Sequence, residues 1–344
     1  MRRVYPDGAG GERQPGGVEF PAEQCLSGTT AEELARARDA ARARGLGIVA
    51  DGGVVEEEPL RRWIPQAAAL GAPVLRVILS RVLGGNRREM RGGWRAHLER
   101  ACAALKAVRP VAEAHGVTVA VENHQDVTSE ELLWLCETVG GDRIGITLDP
   151  GSTLAVAEGP VEFAQRVRSP VRNVHLKDYH IFLSPTGYRL CTCGIGEGVV
   201  DFPALFADRP DPPMSIELGA RQARHVELLQ DDWWTEYPPR PLGRLVEALR
   251  VLLPRARPAG YQLQHVRRLA ADPMWLKDPK LTVLRDEPKY GVPIGYPDPP
   301  NEKVALSWSK YIVLDVFAKA VQSGDAKGAA DWGVEQLKRG YGIS

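Results

Sequence analysis

The stretch Val117–Asp126, VTVAVENHQD, starts as five residues suited to a strand and ends in a carboxylate, an amide, an imidazole and another acid. Directly after it, Thr128 and Glu131 stand at capping-box spacing and open a helix, so one β/α unit can be read from about fifteen residues. The pattern extends in both directions. Between Gly17 and Pro254, strand candidates GVEFP (17–21), LGIVADG (46–52), PVLRVILS (73–80), VTVAVENH (117–124), IGITLDP (144–150), VRNVHLKD (171–178) and MSIELG (214–219) alternate with amphipathic helices. Thr30 and Glu33 make a second capping box, with Gly45 as the stop, and Leu98, Ala101, Cys102 and Leu105 follow the helical period. Strict alternation requires parallel strands with helical crossovers, either an open doubly wound sheet or a closed (β/α) barrel.

The same strands share a phase. Glu122, Asp149, His175 and Glu217 each close a strand, and the residues two positions earlier, Ala120, Thr147, Asn173 and Ser215, are small or polar. The alternate positions, Val119 and Val121, Ile146 and Leu148, Val174 and Leu176, Ile216 and Leu218, are apolar and suit a helix-covered face. Polar tips in one phase at the C-terminal ends are expected when strands converge on the mouth of a parallel barrel. This explains why a strand built for burial ends in Glu122, Asn123 and His124. Three carboxylates and one imidazole form a mostly oxygen donor set suited to Mn²⁺, Mg²⁺ or Co²⁺. Such an ion can hold the vicinal oxygens of a hydroxy-carbonyl compound while a proton is taken next to the carbonyl.

Composition narrows the field. Of 344 residues, 44% are apolar and 26% charged, and Lys plus Arg equals Asp plus Glu at 44 each. The balance gives no general field for nucleic acid or an anionic membrane. Five cysteines are too few and too irregular for a disulfide framework, and Cys191 and Cys193 have no second Cys/His pair at structural-zinc spacing. There is no apolar run of signal-peptide or membrane-spanning length. These features predict a soluble, cytoplasmic protein with a small-molecule partner. Gly194, Gly196 and Gly198 follow an expected hairpin and lack the spacing of a dinucleotide fingerprint.

ENH, LDPG, VHLKD, GIGEGVVDF and IELG, in this order, resemble the xylose isomerase-like TIM-barrel superfamily of sugar phosphate isomerases and epimerases over about residues 17–254. The resemblance implies Glu122, Asp149, His175 and Glu217 as metal ligands, with Glu122 and Glu217 doubling as acid and base. It implies substrate-facing roles for His124, Lys177 and Glu19. The expected activity is divalent-metal-dependent isomerisation or epimerisation of a sugar or polyol, with inosose-type dehydration as the alternative and a non-catalytic sugar-binding or fusion protein as the alternative of another class. Ser152 and Ile181 stand where ketose 3-epimerases of the superfamily carry a histidine and an arginine, which favours the other branches.

Two segments depart from a complete barrel. Residues 1–16 are too few and too glycine-rich for a first strand with its helix, so a (β/α)₈ barrel lacking its first β/α unit is expected, with an open seam. Beyond a boundary near residue 255, DEPKYGVPIGYPDPPNEK carries five prolines in eighteen residues and precedes an amphipathic helical pair bearing Tyr311, Val313, Leu314 and Phe317. This tail resembles the C-terminal end of sugar-type solute-binding proteins of ABC transporters. It predicts either a fusion or a helical extension that supports a homo-oligomer.

Overall fold

The computed structural model describes residues 2–4, 16–22, 28–207, 212–217 and 223–256, together with positions 328 and 331. The tail that resembles a solute-binding protein lies outside the described residues, apart from those two positions. Chain contacts fall into two units: Met1–Tyr179, Cys193–Leu218 and Val226–Arg255 in one, and His180–Thr192, Gly219–His225 and Ala256–Ser344 in the other.

The first unit is a closed barrel. Its strands in chain order are β1 (Arg2–Val4), β2 (Gly17–Pro21), β3 (Gly47–Val54), β4 (Val74–Ile78), β5 (Thr118–Glu122), β6 (Ile144–Leu148), β7 (Val171–Leu176) and β10 (Met214–Ile216). Each neighbouring pair from β2 to β7, and β7 with β10, runs parallel. Helices α1 (Ala31–Arg42), α2 (Glu57–Leu70), α3 (Trp94–His115), α4 (Ser129–Val139), α5 (Pro160–Arg166) and α6 (Phe202–Phe206) alternate with these strands, and α7 (Leu242–Arg255) ends the unit. All seven parallel strands read from the sequence are present. Both capping boxes form, Thr30 with Glu33 and Thr128 with Glu131.

The open seam expected from the sequence is filled: the barrel closes through an additional strand. Strand β1 runs antiparallel and pairs both edges, Arg2–Val4 opposite Gly17–Glu19 of β2 and Val4 opposite Ser215 of β10. A parallel strand needs a crossover of a dozen or more residues, whereas an antiparallel one returns through a short connection.

The core is mainly the layer between strands and helices. Val119, Val121, Ile146, Leu148 and Val174 pack there with Leu98, Leu105, Leu132, Leu135 and Phe163. A separate small cluster of Val49, Val74 and Ala120 comes from three adjacent strands. By strand alternation with the helix-facing Ile48, Leu75 and Val119, these three side chains face the barrel interior. No described helix is long and apolar enough to cross a membrane. Strands β8 (Asp178–Ser184) and β9 (Gly187–Cys193) are the arms of a hairpin and form a three-stranded sheet with β11 (Ala223–Val226), most of which falls in the second unit. This is the hairpin expected before the glycine run.

Candidate functional site

Strand pleating sets the direction of each tip. Because Val119, Val121, Ile146, Leu148 and Val174 belong to the helix-facing layer, the alternate residues Ala120, Thr147, Asn173 and Ser215 face the interior, and all four are fully buried. Register does the rest. Glu122 is opposite Thr147, Thr147 is opposite Asn173, and His175 is opposite Ser215, so the residues closing successive strands come to the same end of the barrel.

There His175 is the hub. Its Nδ1 lies 2.9 Å from Glu122 Oε1 and 3.2 Å from Glu217 Oε2, while Nε2 lies 2.7 Å from Glu19 Oε1. Ligand atoms of Glu122, His175 and Glu217 all fall within 4.8 Å of one another, a separation one cation can span. Glu19 reaches the other ring nitrogen. That is the carboxylate–histidine contact which fixes ring orientation beside a metal.

Asp149 stands apart from that group. Its Oδ2 accepts from Ser152 Oγ at 2.7 Å and lies 2.9 Å from Lys177 Nζ, and its Oδ1 accepts from Ser152 N at 3.0 Å. Lys177 also lies 3.0 Å from Glu217 Oε2, so its ammonium joins Asp149 to the three-residue group. Burial pulls Lys177 down, but Asp149 and Glu217 outweigh it and leave the ammonium above its ordinary range. The side chains of Glu122, Asp149 and His175 are wholly buried, and Glu217, at 18% exposed, is the most open of the four.

Two members of the site had a quieter signature. Arg76 is the one charged residue in the otherwise apolar run Val74–Ile78, and its guanidinium pairs with Glu122 on one side and with Asp51 Oδ1 at 2.5 Å on the other. A lone arginine within a strand otherwise fit for burial could have been flagged from the sequence, as could the Asp51 that ends β3's apolar run. Among the described residues, Arg76 and Lys177 thus join Asp51, Glu122, Asp149 and Glu217 around the ring of His175, with Glu19 on its far side. The donor set fits a divalent cation held by the oxygens of Glu122 and Glu217 and the ring of His175.

The segment that displays His124 is tied down on both sides. Asn123 Nδ2 donates to Asp149 O at 2.6 Å and Asp149 N donates to Asn123 Oδ1 at 2.8 Å, which locks the ends of β5 and β6 together. Gln125 has a φ of 142°, unusual for a residue with a side chain. It is held there because Gly84 N donates to its Oε1 and Gly85 N to its carbonyl. His124 itself is half-buried between these two anchors.

Arg87 fixes the surrounding loops. It is fully buried, donates through Nε to Asp126 O at 2.7 Å, pairs with Glu131, and lies 4.4 Å and 4.0 Å from the ring centres of Trp94 and Tyr237. The Tyr237 hydroxyl and the Trp233 indole donate to Gly85 O and Gly84 O. At Gly85, with φ of +67°, an added Cβ would lie 2.3 Å from Ala155 O, so the close approach needs glycine.

The motifs HLKD and GIGEGVV prove to be one device. Asp178 Oδ1 accepts from Tyr179 N and Val200 N, and Oδ2 accepts from Gly196 N and Gly198 N, at 2.9–3.1 Å. Four amides around one buried carboxylate pin the glycine run beside Lys177.

Residues 16–208, more than half of the chain, match the family model described as xylose isomerase-like TIM barrel. The 3-oxo-isoapionate decarboxylase of Pectobacterium atrosepticum is 26% identical over 191 residues, covering 54% of this chain and 64% of that protein. The protein YihM of Escherichia coli is 25% identical over 178 residues, covering 47% of this chain and 54% of its own length. The chain thus spans less than two thirds of either relative. A crystal structure of D-psicose 3-epimerase in the presence of D-fructose superposes with a TM-score of 0.50 at 13% identity, over 70% of this chain and 87% of that one. Together with the barrel and the order of its strands, the match over residues 16–208 shows that the chain belongs to the xylose isomerase-like TIM-barrel family.

Proposed function

We propose that this chain is a divalent-metal-dependent enzyme that moves a proton next to the carbonyl of a sugar, polyol-derived ketone or related hydroxy-carbonyl compound. The observation that carries the reading is the meeting of Glu122, His175 and Glu217 within 4.8 Å at the ends of three strands. Glu122, His175 and Glu217, with Asp149 as the fourth donor, would hold the ion, which when bound supplies Lewis-acid polarisation of the substrate's vicinal oxygens. Mn²⁺, Mg²⁺ or Co²⁺ suits these donors.

The chain's own residues account for the proton. Glu217 is the more open of the two candidate acid–base carboxylates, and it takes the proton from the carbon beside the carbonyl. The electron pair left behind forms an enediolate; transfer of the hydroxyl proton to the former carbonyl oxygen and reprotonation at the neighbouring carbon complete an isomerisation. Glu122 is the second proton carrier, oriented by Arg76 and His175. Glu19 fixes the His175 ring, and His124 and Lys177 contact the substrate's oxygens.

A second reading is favoured by the decarboxylase among the curated relatives. A 3-oxo sugar acid would lose CO₂ by cleavage of its C–C bond, and the resulting enolate would take a proton from the same carboxylates. Loss of hydroxide from an enediolate, the dehydratase outcome, uses the same groups.

Metal analysis of the purified protein, followed by solvent deuterium incorporation in D₂O with a panel of ketoses and 3-oxo sugar acids, separates these outcomes. Exchange without loss of mass indicates isomerisation or epimerisation; exchange with release of water or CO₂ indicates the alternatives. Glu217→Gln is expected to abolish exchange while leaving the circular dichroism spectrum unchanged. Full exchange by that variant would remove Glu217 from the proton-transfer role.

A further inference from the structure

We propose that Lys177 is a built-in counter-ion of the candidate metal centre, competing with a divalent cation for the carboxylates of Glu217 and Asp149. The inference rests on the metal-dependent reading above. Its basis is the shared use of one oxygen: Glu217 Oε2 lies 3.2 Å from His175 Nδ1, inside the group able to bind an ion, and 3.0 Å from Lys177 Nζ. The same ammonium lies 2.9 Å from Asp149 Oδ2, the carboxylate that does not join that group. Lys177 is almost completely buried, so its charge acts in a poorly screened environment.

A fixed positive charge at hydrogen-bond distance from a ligand oxygen lowers that oxygen's affinity for a second cation. It also neutralises part of the acid cluster, so the barrel mouth does not depend on an ion for its stability. Lys177 thereby makes metal binding weaker and more readily reversible than the five carboxylates alone would give. It also sets Asp149 as a ligand recruited only when the ammonium moves aside.

The test uses Mn²⁺ alone, with binding measured by isothermal titration calorimetry on the full chain and thermal unfolding followed in EDTA and in Mn²⁺. Lys177→Met and Lys177→Gln are expected to bind Mn²⁺ at least tenfold more tightly than wild type. Both should unfold at lower temperature in EDTA and gain more from Mn²⁺ than wild type does. Lys177→Arg, which keeps the charge, should bind about as wild type. A neutral variant that folds only with Mn²⁺ present would be the strongest form of the expected result. Equal or weaker binding by both neutral variants, with wild type binding normally, would overturn the competitor role and leave Lys177 as part of the ligand framework. Absence of binding by every chain, wild type included, would overturn the metal reading and this inference with it.

Discussion

Asp126 closes the stretch VENHQD in a wholly buried position. Ser80 Oγ donates to its Oδ2 at 2.5 Å, while its Oδ1 has no protein partner among the described residues. Burial pushes its carboxyl up to about 7, against the opposing pull of Ser80 and Arg87, with Glu131 adding to the rise. A carboxyl raised on folding stabilises the protein in its protonated form. That contribution is complete below the unfolded-state pKa near 4 and is lost as pH rises through about 7, on the order of 4 kcal/mol in all. Asp126→Asn, which stays neutral, should therefore gain stability relative to wild type between pH 5 and pH 8 in urea unfolding. An equal difference at the two pH values would show that Asp126 does not carry this linkage. At this level strand phase alone aims Glu122, His175 and Glu217 at one mouth, where they meet. The sequence could not show Asp149 drawn aside by Lys177 and Ser152, because that depends on lateral spacing between strands. Arg76 was overlooked for a simpler reason: one charge in an apolar strand reads as an interruption until Asp51 and Glu122 are seen flanking it.

The elements were legible wherever local chemistry decides the structure. Thr30 and Thr128 cap α1 and α4 through bonds that involve only residues three apart, so periodicity and capping sufficed. The glycine run 194–198 carries a family motif and lacks dinucleotide spacing, but its partner is not legible in it, since Asp178 lies across a hairpin in sequence. Each oxygen of Asp178 accepts two backbone amides, and an Asn amide nitrogen cannot accept either pair. Asp178→Asn should thus leave two buried amides unsatisfied and cost about 2–4 kcal/mol in urea unfolding. Limited proteolysis should show faster cleavage within residues 194–200. A loss below about 0.5 kcal/mol, within the range of ordinary surface substitutions, would mean that the loop is held by other contacts.

For the barrel as a whole, the sequence disclosed the seven parallel strands, but not how the seam between β2 and β10 closes. Three residues without a hydrophobic pattern, Arg2–Val4, give no strand signal of their own, and their pairing exists only because β2 and β10 present free edges to them. Deleting residues 2–4 should lower stability by about 2–4 kcal/mol, from a few lost ladder bonds at about 1 kcal/mol each. It should also produce concentration-dependent self-association in size-exclusion chromatography through the exposed edges. A monodisperse variant of unchanged stability would argue that the seam needs no cover. The closed mouth matters because it gathers acidic and imidazole tips from separate strands around one point, and the entire chemical account depends on a cation binding there. Anomalous diffraction from crystals grown with Mn²⁺ addresses this directly. The account predicts a single strong peak bounded by the carboxylates of Glu122 and Glu217 and the ring of His175. Its contradiction would be a map with no peak at that point, or one in which the ion lies elsewhere on the molecule.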